Sequence, residues 1–208
     1  MRELELKIKS MKPSHLKEIV LIHQQAFPGF FMTLLGSYFL ESYYATVLKY
    51  GKSICLVYED SGRNICGFAV GFINPNEFYA MFKSNALVFF IPVLCGLFRR
   101  PYLVLRILNS VLRLKKIDLE ICDVVSCELS SIGVSKKGLG IGKRLLYRFI
   151  DLGFASGAEE ICLTTDSEDN EEVIRFYKAA GFVKSEFETR GSRKMIEFRL
   201  DKSEYERR

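Results

Sequence analysis

Three glycines at alternate positions, Gly138, Gly140 and Gly142, lie in the run VSKKGLGIGKRLL from Val134 to Leu146, between a strand-like segment and a helical one. A strand that passes through glycine into a helix exposes backbone N–H groups, and the helix dipole adds partial positive charge at the same point. Such a loop is built to hold an anion, and glycine lets a phosphate come close to the backbone. Lys136, Lys137, Lys143 and Arg144 add formal charge around it. The plainer alternative is a tight turn that uses glycine only for its dihedral angles; the flanking cations favour the anion site.

Spacing separates the kinds of phosphate loop. The dinucleotide pattern G-x-G-x-x-G fails because Lys143 stands three residues after Gly140, and no acidic ribose partner follows on a second strand. The pattern G-x-x-x-x-G-K-[ST] fails as well. Gly138 to Gly142 is one residue short, and Arg144 occupies the position where Ser or Thr would hold magnesium.

A second cluster follows in NEEVIRFYKAAGF, with Asn170, the pair Phe176-Tyr177 and the pair Gly181-Phe182. Together the two motifs resemble the GCN5-related N-acetyltransferase (GNAT) family. Its signature Q/R-x-x-G-x-G/A is matched by Lys137-Gly138-Leu139-Gly140-Ile141-Gly142, with lysine in place of the first Gln or Arg. The resemblance implies the acyl-CoA N-acyltransferase fold, a mixed α/β domain whose largely antiparallel central sheet is flanked by helices. It also implies acetyl-CoA as acyl donor, a primary amine as acceptor and no metal. The loop from Lys137 through Gly138, Leu139, Gly140, Ile141 and Gly142 to Lys143 would bind the pyrophosphate. The backbone of Ile132, Gly133 and Val134 would hold the pantetheine arm and thioester, and Asn170 would cap or orient the cofactor.

Acetyl transfer needs an unprotonated amine, and a free alkylamine has a pKa of about 10.4, so a base or a water relay must take a proton at neutral pH. Glu128 resembles the family's base, the rival reading being a strand-end carboxylate in a surface ion pair; Ser130 is an alternative that would order a water. A regular strand would put Glu128, Ser130, Ile132 and Val134 on one face. Tyr177 occupies the position of the family's proton donor to the leaving thiolate, the rival reading being a core aromatic beside Phe176.

These residues need elements to position them. Alternation from Glu3 to Lys9 suggests a strand, Pro13-Ser14 a helix start, and residues 34–49 a second helix. Ser53 to Tyr58 and Ile65 to Ile73 flank turn chemistry and should form a hairpin. From Ile121 to Val134 a strand is expected, then the loop and a helix from Gly140 to Ser156, a strand from Glu160 to Thr165, and a helix from Glu171 to Ala180 capped by Gly181. Two last strands lie around Arg190-Gly191-Ser192.

The chain has 208 residues and a net charge of +5, which fits a single domain over 1–208 with a helical insert at about 74–118. Its basic residues are interspersed with acids, so nucleic acid is not an expected partner. The six cysteines lack metal or redox spacing and read as reduced core residues. His15 and His23 read as ordinary helix-surface histidines. No apolar core opens the sequence, so a cytoplasmic location is expected.

The apolar run Ala86 to Phe98 contains Pro92 and is too short to span a bilayer, while Tyr102 to Lys116 has amphipathic helical spacing. Two readings stay open for this insert: a helical layer packed on the core, or a peripheral membrane or partner contact through 86–116. The acceptor surface is expected from Phe27 to Tyr44 and from the insert. A small-molecule amine, an amino sugar among them, is the favoured acceptor. A protein or peptide amine, or a non-catalytic acyl-CoA-binding module, are the alternatives. The exposed C-terminal edge strands offer pairing between chains, but oligomeric state is not readable.

Overall fold

The computed structural model describes residues 7–99, 102, 124–190 and 193–207. Strand β1 (Ile8–Ser10) is followed by a 3-10 turn at Pro13–His15 and helix α1 (Leu16–Ala26). Next come α2 (Phe31–Leu35), α3 (Ser37–Lys49) and the hairpin of β2 (Ser53–Glu59) with β3 (Ile65–Ile73). Helices α4 (Pro75–Ser84) and α5 (Ala86–Arg99) precede β4 (Ser126–Val134), α6 (Ile141–Ala155), β5 (Glu160–Asp166) and α7 (Glu171–Ala180). The described chain ends with the hairpin of β6 (Val183–Arg190) and β7 (Arg193–Asp201) and a short helix α8 (Lys202–Tyr205). The strand expected over 3–9 overlaps the undescribed 1–6, and the helix expected over 102–116 lies outside the described residues except for Tyr102.

The described strands form one seven-stranded sheet in the order β1-β2-β3-β4-β5-β7-β6. All neighbours are antiparallel except β4 and β5, which are parallel. One core lies between the sheet and α6 and α7, built on Leu145, Leu146, Phe149, Ile150 and Phe198. The other lies on the opposite face, where Leu40, Tyr44, Phe68, Phe72 and Phe78 join α1, α3 and α4 to the sheet. This is the mixed, largely antiparallel architecture expected from the motifs.

Three expectations are corrected. The helix expected over 34–49 is two helices, because Gly36 takes φ +96, a conformation that a side chain would strain. Strand β4 begins at Ser126, with Val124 and Val125 exposed ahead of it. His23 is not on the helix surface but is 2% exposed. It completes the inward stripe Leu16, Ile19, Val20 of α1 at i, i+3, i+4 and i+7. The cysteines divide as well: Cys127 is buried, whereas Cys95 is exposed on α5.

Candidate active site

Strands β4 and β5 pair through only three positions, Ser126↔Glu160, Cys127↔Ile161 and Glu128↔Cys162. Beyond Glu128 each keeps its outer partner, β4 as far as Val134↔Gly67 and β5 as far as Asp166↔Met195. The two strands therefore part, and a cleft opens from Glu128 toward the end of β4 that carries the glycine loop. Ile132, Gly133 and Val134 lie along its β4 side.

A bulge sets which side chains reach the cleft. Val70 pairs with Ser131 but Gly71 pairs with Leu129, so Ser130 is an extra residue. Cys127, Leu129, Ile132 and Val134 consequently pack toward α6 and α7. Glu128 and Ser130 point to the other face, where Tyr79 and Tyr43 meet them, and Ser131 sits opposite Val70 of the core on that face. The single shared face expected for Glu128, Ser130, Ile132 and Val134 is thus corrected: the bulge shifts the alternation by one residue, and a one-residue shift exchanges faces.

On that face Tyr79 Oη donates to Glu128 Oε1 at 2.8 Å, and the Tyr43 and Ser130 hydroxyls lie 2.6 Å apart. Behind them, the Tyr44 hydroxyl lies 2.6 Å from His23 Nδ1. His23 Nε2 is buried without a partner among the described residues. Burial lowers the His23 pKa to about 4, so the ring is neutral at pH 7. Burial also raises the Tyr43 and Tyr44 hydroxyls above their usual range and keeps them protonated. Sequence reasoning missed Tyr79, which lies 49 residues from Glu128 in the chain and carries no local motif.

The loop itself has the geometry its glycines suggest. Gly138 and Gly140 take φ +81 and +70, and Gly140 is the residue ahead of α6. Residues 135–140 are all exposed, while Ile141 is buried and anchors the helix start. An added Cβ at Gly138 or Gly140 would meet nothing within 4 Å, so both glycines serve the backbone conformation and the open approach to its amides. The surrounding cations contribute less than their number suggests. Lys137 pairs with Glu172 at 3.4 Å with both largely exposed, Arg144 donates to Tyr58 Oη at 3.2 Å, and Lys143 lies 5.7 Å from the Tyr147 ring.

Helix α7 borders the loop: a Cβ on Gly142 would sit 3.7 Å from Val134 and 3.9 Å from Phe176. Next to Phe176, Tyr177 is 7% exposed and packed among Phe176, Phe182 and Phe198. Burial raises its pKa, so the phenol holds its proton at neutral pH. Asn170 precedes α7 but makes no side-chain cap; its amide donates to Thr165 Oγ1 at 2.8 Å and to the Asp166 carbonyl at 2.9 Å. It thereby fixes the β5–α7 connection at the cleft mouth. Among the described residues no cluster of three His, Cys, Asp or Glu side chains could hold a metal.

Residues 117–182 match the model of the acetyltransferase (GNAT) family. Comparison with curated proteins gives no match. Solved structures of similar fold include Ard1 from Thermoplasma volcanium, at 16% identity over 93% of this chain and 95% of that one, with a TM-score of 0.59. Spermidine N-acetyltransferase SpeG from Vibrio cholerae is similar at 15% identity over 95% of this chain and 96% of that one, with a TM-score of 0.58. Naa20 from Chaetomium thermophilum, solved with a bisubstrate analogue, gives 14% identity over 97% and 89%, with a TM-score of 0.58. The segment that carries the glycine loop, its helix and the Phe-Tyr pair is thus the part that matches the GNAT family model, set in a chain that shares the fold of these acetyltransferase structures.

Proposed function

We propose that this chain is an acetyl-CoA-dependent N-acetyltransferase that acts in the cytoplasm as one domain on the primary amine of a small molecule, an amino sugar being one such acceptor. The observation that carries the reading is the continuity of an open β4–β5 cleft with a positive-φ glycine loop at a helix N-terminus. The amides from Lys137 to Lys143 face the pyrophosphate, and the β4 backbone from Ile132 to Val134 lies along the pantetheine arm. Similar folds serve both a polyamine acetyltransferase and Naa20, so the acceptor class rests on this chain's own cleft. Its Glu128 face is lined by Tyr43 and Tyr79, a carboxylate among aromatics suited to a compact cation.

Glu128 takes a proton from the incoming ammonium, directly or through a water held by Ser130. The freed nitrogen attacks the thioester carbonyl, a C–N bond forms, and the C–S bond breaks. Tyr177, protonated and on the opposite face of the sheet from Glu128, gives its proton to the departing thiolate, and the second proton lost by the nitrogen as the amide forms returns to the phenolate through solvent. The two groups thus serve opposite ends of the same displacement. Positioning of amine and thioester supplies much of the remaining acceleration.

The test is a thermal-shift titration with acetyl-CoA, followed by thiol release with a panel of amino sugars, polyamines and peptide N-termini. Saturation at 100 times the dissociation constant should stabilise the protein by about 2.7 kcal/mol. Turnover confined to peptides would move the acceptor class, binding without turnover would leave an acyl-CoA-binding module, and no shift with acetyl-CoA or longer acyl-CoAs would overturn the proposal.

A further inference from the structure

Helix α5 has no charged, amide or hydroxyl side chain from Ala86 to Phe98. Its inner face is accounted for: Phe89 is buried against Phe39 and Phe82, and Gly96 lets the helix approach the Leu35 carbonyl of α2 so closely that a Cβ would lie 2.8 Å from it. Its outer face consists of Leu87, Val88, Phe90, Ile91, Leu94 and Phe98, with Leu87 87% and Phe98 93% exposed. A helix that is apolar all round is normally covered on all sides, and a contiguous exposed apolar patch marks a contact surface.

Charge identifies what covers it. One stretch departs from the interspersed charge of the rest: from Phe78 to Ile117 the sequence holds seven basic residues, Lys83 and Arg99 among them, and no acidic one. The rest of the chain is slightly acidic, since 23 of its 30 basic residues then face all 25 acidic ones. In sequence the chain's positive excess thus falls in the segment that carries this helix, with Lys83 three residues ahead of it and Arg99 at its last position. A second copy docking here across a two-fold axis would bring this excess against itself. An anionic bilayer neutralises it while taking up the apolar side chains.

We infer that the outer face of α5 docks this protein on the surface of an anionic lipid membrane. The helix lies in the interface and does not cross it. Its 14 residues span about 21 Å, against a hydrocarbon core of about 30 Å, and its inner face remains packed on α2 and α3. The bent pair α4–α5, with 75° between its helices, would pass for a broken span on length and composition. However, Phe78 of α4 is fully buried in the protein core, so of this pair it is α5 that can face lipid. The same pair brings the docking face to the proposed acceptor side, since Tyr79 of α4 bonds Glu128.

The chain contains no tryptophan, so the full-length F90W variant places one fluorophore on the docking face and K178W one on an exposed turn of α7. Mixed with vesicles of phosphatidylcholine and phosphatidylglycerol, F90W should shift its emission to shorter wavelength and K178W should not. The unlabelled protein should sediment with these vesicles, less with pure phosphatidylcholine and less at high salt. The double variant L87Q/F98Q, with its fold checked by circular dichroism, should partition about tenfold or more weakly. Failure to sediment with anionic vesicles, equal sedimentation of L87Q/F98Q, or an unshifted F90W would each overturn the inference. So would a dimer broken by L87Q/F98Q in the absence of lipid binding, which would assign the face to a second copy.

Discussion

The hydroxyls of Tyr43 and Ser130 lie 2.6 Å apart, and the next residue of α3, Tyr44, turns its hydroxyl to His23 Nδ1 at 2.6 Å. Tyr43 of α3 thus holds the extra residue of the β4 bulge, the feature that sets Glu128 on the opposite face from Ile132 and Val134. Tyr43 is 6% exposed, so Tyr43→Phe leaves Ser130 short of a partner in a partly buried place. It should lower stability by about 1 kcal/mol and, by loosening the bulge, reduce turnover further than that loss explains. Denaturant melts beside thiol-release kinetics check both. An unchanged kcat would show that the bulge holds its shape without this bond.

Glu128→Gln and Tyr177→Phe separate chemistry from packing. Among the described residues the Tyr177 hydroxyl has no hydrogen-bond partner, so Tyr177→Phe should change stability by less than about 0.5 kcal/mol. Under the proposed mechanism it should still lower kcat, and Glu128→Gln should lower it by about 100-fold or more. Acetyl-CoA affinity, read by thermal shift, should persist in both. If Tyr177→Phe kept full turnover, the ring would be a core aromatic alone.

The buried His23 makes stability depend on pH. Its folded pKa is about 4 against an unfolded value of about 6.5, so between those values the unfolded chain binds the extra proton. Its contribution is complete above pH 6.5 and is lost as pH falls toward 4, by about 3 kcal/mol in all. His23→Phe removes that proton uptake. On going from pH 7 to pH 4 the native protein should lose about 3 kcal/mol relative to His23→Phe, and parallel curves would show that His23 does not titrate as its burial requires.

Much of the site was readable in the sequence, and the losses have specific causes. The glycine loop, its helix and the Asn170 to Phe182 segment are local, so their motifs survive without knowledge of the fold. The bulge was also written locally. In Cys127-Glu128-Leu129-Ser130-Ser131-Ile132-Gly133-Val134 the apolar positions are 127, 129, 132 and 134, and the alternation slips at the serine pair. His23 was legible too, at i+7 from Leu16, but its polar type hid its place in the stripe. The Tyr79–Glu128 bond and the pairing of Tyr43 with Ser130 join distant segments, and no spacing rule reaches them.

The loop glycines should respond differently to the same substitution. Gly138 and Gly140 have positive φ with open space around them, so Gly138→Ala and Gly140→Ala should each cost about 1–2 kcal/mol through the backbone alone. Any relaxation would turn loop amides away and reduce the stabilisation by acetyl-CoA. Gly142 has no positive φ, and its Cβ would make only ordinary contacts. Gly142→Ala should therefore keep both stability and the acetyl-CoA shift. Equal behaviour of the three variants would contradict the geometry assigned to the loop.

Gly71 is the point at which β3 accommodates the bulge. A Cβ there would run into the Glu128 carbonyl oxygen and the ring of Phe149. The ring could rotate or shift, but the carbonyl belongs to the strand that carries the candidate base and cannot yield without moving it. Gly71→Ala should thus cost about 3 kcal/mol or more, in the range of severe overpacking, and displace Glu128 from Tyr79. Phe149→Leu relieves only the ring contact, so adding it to Gly71→Ala should restore part of the stability and little of the turnover. Full recovery of turnover in the double variant would mean that the ring, and not the β4 carbonyl, sets the requirement for glycine.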